Sequence, residues 1–487
     1  MKQTTRRDFL KLAGVGMVIL CGQNSQATAA ATGKKPNILY VFSDMQRAYS
    51  MGCYGDPNAR TPNLDAFARQ GVRLDAAISP TPVCCPHRAC LMSGQYAHHH
   101  GMMSNACKFK PTVKCIAETF SDAGYTTGYV GKWHLGTAKK SSDPTYGFPP
   151  PNTPYGIYHF ARDPAPTTDI ALKFIAEKSK DSAPWMLFVS WIMPHEPYKA
   201  PPGMREHFSK ISLPPNVPPG ASREYAAKCL PDYYGMIETL DLQFARILQA
   251  LDAAGVAEDT IVIYSSDHGD MIGSQGYKFK RWPHEESARV PFLIRYPHGL
   301  PAGRVIADPF GTPDVYPTLA GLAGVTAPAG LDGADFSAFF TGKAQQPPRD
   351  HVYLEMAYAY VPWPGWRAIR TRDLMYARTV DKPWLLFDLS KDPWELNNLV
   401  NDPANQALVK QMDERLSGLM KATGDSWTLT TTCNELHNWV PGGVKQQSQD
   451  LGVPYPGQQT TPANNDKGGR KRKKAHKDTT TASDSAE

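Results

Sequence analysis

Asn37-Ile38-Leu39-Tyr40-Val41-Phe42 is an almost unbroken apolar run, and Asp44 stands just past its end. A short apolar run bounded by polar residues reads as a strand buried on both faces. Three more runs have the same character: Trp185–Ile192 (WMLFVSWI), Thr260–Ser265 (TIVIYS) and Val290–Tyr296 (VPFLIRY). Between them lie helical patterns. In Tyr233–Leu251 the residues Ile237, Leu240, Phe244, Ile247, Leu248 and Leu251 fall on one face at helical spacing. Strands alternating with helices predict an α/β fold with a mainly parallel sheet flanked by helices. Ligands in such folds gather at the carboxyl ends of strands. Asp44, His195 and the pair Asp267-His268 follow the first three runs, so one site built from three strand ends is expected.

The rest of the chain divides by composition. Residues 350–456 predict a smaller C-terminal α+β subdomain. A short antiparallel sheet is expected from Leu374–Thr379 and Trp384–Asp388 across the turn Asp381-Lys382-Pro383, with a covering helix at Asn405–Thr423. From residue 457 to 487 apolar residues almost vanish, which predicts a disordered basic tail. The N-terminus carries Arg6-Arg7-Asp8-Phe9-Leu10-Lys11, then an apolar stretch Leu12–Leu20, then Ala27-Thr28-Ala29. This resembles a twin-arginine export signal with cleavage near Ala29. The apolar stretch is too short to span a bilayer, and no transmembrane segment is expected. The twin-arginine machinery is therefore an expected partner, and the periplasm or the exterior the expected location. Residues 30–349 remain as the main N-terminal domain.

Charge supports that division. Across 487 residues, 52 Lys+Arg against 46 Asp+Glu give a net charge of +6. Residues 1–29 carry +3 and residues 466–487 carry +3, so the body between them is neutral and nucleic acid is not an expected partner. The cysteines show no zinc-ligand spacing. Cys107 and Cys115 are near enough in sequence to bridge a short loop, which the sequence leaves open.

Cys84-Cys85-Pro86-His87-Arg88, continuing to Ser93-Gly94, resembles the Cys-x-Pro-x-Arg signature of the formylglycine-dependent (type I) sulfatases, members of the alkaline-phosphatase-like superfamily. Other blocks of that family follow in order: Asp44 before it, then Gly131-Lys132-Trp133-His134-Leu135-Gly136, Pro194-His195-Glu196-Pro197, Ser266-Asp267-His268-Gly269-Asp270, Lys280 with Pro283-His284-Glu285-Glu286-Ser287, and Leu386–Asn398. The resemblance covers roughly residues 36–400. It implies an alkaline-phosphatase-like fold and hydrolysis of a sulfate monoester, from a sulfated small molecule or glycan, to alcohol and inorganic sulfate.

It also implies a site. Cys84 would be oxidised to formylglycine by a formylglycine-generating maturation enzyme. Its gem-diol would attack sulfur and later expel sulfate as the aldehyde re-forms. Asp44, Asp267, His268 and the formylglycine at residue 84 would hold one calcium ion, a hard cation that prefers oxygen ligands. Arg88, Lys132, His134, His195 and Lys280 would bind the sulfate and move protons. Relatives end the first strand in Asp-Asp or Asp-Gln, whereas here the order is Asp44-Met45-Gln46. A thioether suits calcium poorly, so either Met45 leaves a place to water or Gln46 reaches in. The nearest alternatives are a phosphonate or phosphate monoester hydrolase of the same superfamily, and a binding protein on a catalytically dead scaffold.

Weaker features remain. His98-His99-His100 has the composition of a metal tract, but three adjacent residues do not face one ion from regular structure, and a polar loop near the cleft is expected. Val361-Pro362-Trp363-Pro364-Gly365-Trp366 reads either as an aromatic sugar platform or as a loop packing its tryptophans inward. Asp270 and Glu285 read as structural, and Arg470–Lys474 as a solvated run.

Overall fold

A computed structural model describes residues 34–136, 144–151, 153–156, 162–357 and 365–427. The export signal, the basic tail and Val361–Pro364 lie outside the described residues. The first apolar run is β1 (Asn37–Asp44), an interior strand of a seven-stranded sheet. The others in chain order are β2 (Val72–Leu74), β3 (Thr126–Gly131), β4 (Trp185–Pro194), β5 (Thr260–Ser266), β6 (Phe292–Arg295) and β7 (Arg304–Ile306). Their spatial order is β3-β4-β1-β5-β6-β2-β7. All neighbours are parallel except those of β6, which runs antiparallel to both β5 and β2.

Both faces of β1 are buried, and its side chains divide by alternation. Ile38, Tyr40 and Phe42 pack on one face, and Leu39 and Val41 on the other. The first face is covered by α1 (Cys84–Ser93) and α4 (Thr312–Ala323). The second is covered by α2 (Pro164–Lys178) and α3 (Ala221–Ala253). The predicted stripe of α3 is the buried one, from Ile237 to Leu251. The helix starts well before the periodic stretch and carries Pro231 inside it.

The C-terminal part holds a four-stranded antiparallel sheet rather than a two-stranded one. Its strands are β8 (His351–Met356), β9 (Trp366–Thr371), β10 (Leu374–Thr379) and β11 (Pro383–Asp388), in that spatial order. β8 and β9 escape sequence detection because Glu355, Arg367 and Arg370 interrupt their apolar pattern, yet all three are buried. Each has an ionic partner: His98, Asp425 and Glu285 respectively. Helix α5 (Gln406–Thr423) covers the sheet through Val409, Met412, Leu416 and Met420. Among the described residues no helix is long and apolar enough to cross a membrane.

One open question is answered and one smaller expectation is corrected. Cys115 is a free thiol at the start of a helix, whereas Cys107 is disulfide-bonded, so no bridge closes the loop between them. The three histidines do not form one polar patch. They make a single helical turn, Ala97–His100, and its rotation sends them three ways. His98 binds Glu355, His99 binds Asp332, and His100 is buried against the Cys90 thiol.

Candidate active site

Helix α1 begins at Cys84, because Val83 is extended and Pro86 falls in the first turn, where its missing N–H costs nothing. The helix ends at Gly94, whose φ of 65° is the left-handed cap. Cys84 therefore sits at the positive end of a helix dipole. It lies beside the carboxyl ends of β1 and β5, which deliver Asp44 and Asp267-His268. One ligand atom from each of Asp44, Cys84, Asp267 and His268 lies within 4.8 Å of the others, and all four residues are buried. The Cys84 sulfur is 3.2 Å from His268 Nε2, and it donates to Asp44 Oδ1 at 3.7 Å. His268 Nδ1 faces the Gly269 carbonyl at 2.9 Å, which turns Nε2 toward the cluster.

Arg88 lies one turn beyond Cys84 on the same face. Its Nη2 donates to Asp44 Oδ2 at 3.2 Å and to Asp267 Oδ2 at 3.0 Å, with no exposure to solvent. Its Nη1 donates to the Lys132 carbonyl and to Ser190 Oγ, each at 2.7 Å. The guanidinium thus ties the two carboxylates to β4 and to the segment after β3. Lys132 reaches Asp44 Oδ2 as well. It can do so because Gly131, at φ 102°, lets the chain pass where a Cβ would lie 1.9 Å from the Ser190 carbonyl.

His134 lies beside the Cys84 side chain and helps to lower its pKa. It gets there through a left-handed backbone, φ 56°, and not through strand alternation with Lys132. Trp133 between them is buried against Tyr129 and Phe148. Lys280 Nζ closes the ring of cations, 3.3 Å from the Cys84 sulfur, 3.3 Å from His195 Nε2 and 3.4 Å from the Met45 sulfur.

The charges decide the proton positions. Burial alone would raise the Cys84 thiol, but Lys132, Lys280 and His268 hold it well below its ordinary value. Burial and the adjacent Cys84 raise the neighbouring Cys85, and the same cations do not offset them. Burial would also raise Asp44, yet Lys132, His195 and Arg88 hold it low. Asp267 is pushed up by burial and by Asp44. Burial would lower His195, and Asp44 more than offsets that.

Every predicted site residue thus converges on Cys84 or on the two carboxylates. Gln46 does not reach in: its side chain binds Ser43 at 2.8 Å, Tyr264 at 2.7 Å and Ser50 at 3.5 Å. Met45 contributes its backbone N–H to Asp267 Oδ1 at 3.1 Å, and its thioether faces Lys280. Asp270 and Glu285 are structural, bound to Tyr198 and Arg370.

Residues 36–325 match the sulfatase family model, and residues 273–422 match the C-terminal region of N-sulphoglucosamine sulphohydrolase. The chain is 34% identical over 448 residues to an ulvan-active sulfatase of Formosa agariphila, covering 84% of this chain and 86% of that protein. The chain belongs to the sulfatase family. It is a sulfuric ester hydrolase, with the alkaline-phosphatase-like fold of its relatives. An endo-4-O-sulfatase of Bacteroides thetaiotaomicron is 28% identical over 513 residues, covering 85% of this chain and 97% of that one. A solved structure in complex with its substrate D-glucosamine-2-N,6-O-disulfate matches with a TM-score of 0.69 over 81% of this chain and 99% of that chain. At 22% identity it shows the shared fold.

Three supports of this sulfatase site were not read from sequence. Ser190 and Tyr129 both bind Arg88. Ser190 is the one hydroxyl in the apolar run of β4, a signal that was available. Arg162 binds the carbonyls of His195, Glu196 and Pro197 at 2.7, 3.1 and 2.6 Å, and nothing local in sequence marks it.

Proposed function

We propose that this sulfatase removes sulfate from a sulfated carbohydrate, with Cys84 converted to formylglycine and a calcium ion held by Asp44, Asp267, His268 and residue 84. One observation carries the reading: the Cys84 side chain lies where four ligand atoms meet inside a ring of Lys132, His134, His195 and Lys280. The two carboxylates suit a hard divalent cation, with the His268 imidazole beside them. When bound, the cation supplies charge neutralisation on sulfate and acidifies the nucleophile, which the hydrated aldehyde provides.

The remaining chemistry belongs to the chain. Lys132 and Lys280 bind the sulfate oxygens as positive charges that need not reorganise. His134 is set to take a proton from residue 84. His195 is held by its Nδ1–H to the Glu196 carbonyl at 2.8 Å and is kept protonatable by Asp44, so it gives a proton to the leaving oxygen. Arg88 keeps both carboxylates in place.

A carbohydrate substrate is supported by the ulvan-active and endo-4-O-sulfatase relatives. Residues 1–29 act as a twin-arginine signal for periplasmic or secreted export, 30–349 as the catalytic domain, 350–456 as its C-terminal subdomain and 457–487 as a tail. The test is a panel of sulfated glycans, ulvan and chondroitin 4-sulfate included, with released sulfate measured on protein matured alongside a formylglycine-generating enzyme. Release from at least one glycan and an aldehyde at residue 84 by intact mass are expected. Turnover of a phosphonate monoester with none of any sulfate ester would overturn the reading.

A further inference from the structure

Two adjoining clefts, of about 300 and 240 Å³, open between the loop after β1 and the turn after β11. They share Tyr54, Glu285, Arg289 and Pro393. Arg47, three residues past Asp44, forms part of the wall, with its guanidinium over the Tyr233 ring at 5.6 Å. It is 2% exposed, and its Nε and Nη2 have no hydrogen-bond partner among the described residues. Arg289 Nε is likewise buried and unpartnered, and its Nη1 reaches Glu285 only at 3.5 Å. A buried guanidinium with open donors is costly unless an acceptor meets it. Glu285 is shared: Arg370 takes both its oxygens at 2.8 and 3.3 Å, which leaves Arg289 only the long contact to Oε2 and its Nε open. Arg372 adds an exposed cation with no ion-pair partner among the described residues.

The cleft also has features that a simple ion does not use. Glu286 gives one oxygen to Asn216, and its Oε2 is buried without a partner, so the same wall offers an acceptor for hydroxyl groups. At the mouth Tyr49 and Trp394 meet edge to face, with ring centroids 4.6 Å apart, and both are half-buried. Open guanidinium donors, one open carboxylate oxygen and an aromatic edge together match a ring that bears both hydroxyls and an acid group.

We propose that this cleft is a second binding site, separate from the catalytic cluster, for an acidic saccharide unit: its sulfate or carboxylate lies on Arg47, Arg289 and Arg372, a hydroxyl on Glu286, and its ring against Tyr49 and Trp394. The proposal rests on the reading of the substrate as a glycan. An acidic polymer would then be gripped at one sugar while another is processed elsewhere.

The test uses the full chain with Cys84→Ala, so that bound sugars are not consumed. Ulvan and chondroitin 4-sulfate tetrasaccharides, their desulfated forms and inorganic sulfate are titrated by calorimetry and soaked into crystals. At least one sulfated tetrasaccharide is expected in the cleft, bound at least tenfold more weakly after Arg372→Ala or Trp394→Ala. Both positions are at the cleft mouth, so folding is preserved. In the Cys84-containing enzyme these two substitutions leave hydrolysis of a small aryl sulfate unchanged. An empty cleft with both tetrasaccharides overturns the proposal, as does a cleft that holds inorganic sulfate as tightly as either tetrasaccharide. Failure of the glycan reading looks different: no sulfate is released from any glycan by the active enzyme, whatever the cleft binds.

Discussion

Two buried groups of acids and histidines stand in this molecule, and their chemistry is opposite. One is Asp44, Cys84, Asp267 and His268 at the ends of β1 and β5; the other is His98, Glu355 and Asp425, between the histidine turn and the C-terminal sheet. In the second group the protein answers every charge. Arg367 grips both oxygens of Asp425, Tyr353 and the Trp427 N–H add to it, and His98 lies between Glu355 at 3.0 Å and the Thr423 carbonyl at 3.0 Å. It is a neutral clasp. In the first group, cations crowd around a sulfur atom that accepts from several of them at once. Proximity of ligand-type residues therefore does not define a centre. An arginine holds carboxylates in both groups, and what separates them is the ring of further cations, Lys132, Lys280 and His268, gathered on one sulfur atom in the first.

Substitutions should divide along that line. Cys84→Ala is expected to abolish sulfate release, a loss on the order of 10⁶-fold in kcat, with the thermal midpoint little changed. Unchanged turnover would remove Cys84 from the chemistry. Asp267→Asn should cost roughly 10³-fold and, on the proposed function, lower the affinity for calcium measured by calorimetry, since the proposed ligand and an Arg88 partner are lost together. Lys280→Ala should reduce kcat/KM by roughly 10²–10³-fold without altering metal affinity.

The clasp should answer in stability instead. Glu355→Gln is expected to cost about 3 kcal/mol in unfolding free energy while activity of the folded enzyme stays within twofold. A large drop in kcat at full folding would join the clasp to the active site. The clasp also sets a pH dependence. Burial opposes the charge on His98, but Glu355 raises its pKa to about 9, above the ordinary value of 6.5. The folded state binds this proton more tightly than the unfolded one, so its stabilisation is complete below pH 6.5 and fades as pH rises toward 9. Thermal midpoints from pH 6.5 to 9.5 should fall more in the wild type than in Glu355→Gln; parallel curves would contradict this assignment.

The same contrast explains what could be read from sequence. β1, β4 and β5 were legible because strands buried on both faces need unbroken apolar runs. The site was legible because its residues follow those runs or lie in ordered blocks. β8 and β9 were not, since Glu355, Arg367 and Arg370 look like surface residues until their distant partners Asp425 and Glu285 are known. The loop positions of Lys280 and His134 follow motif order, whereas Arg162, which clamps three carbonyls across the chain, has no local pattern to betray it. Gln46 shows the limit within the site itself: adjacency to Asp44 says nothing of direction, and Ser43 and Tyr264 turn it away.

Finally, Cys84 is 1% exposed, with Lys132, His134 and Lys280 packed over it. A catalyst the size of a protein has no route to that sulfur once the sheet has closed. On the proposed function, conversion of the thiol would therefore belong to the nascent or unfolded chain, before the sheet closes over Cys84. A chain that folded first would then keep an unmodified thiol, so the balance between folding and maturation would set the active fraction.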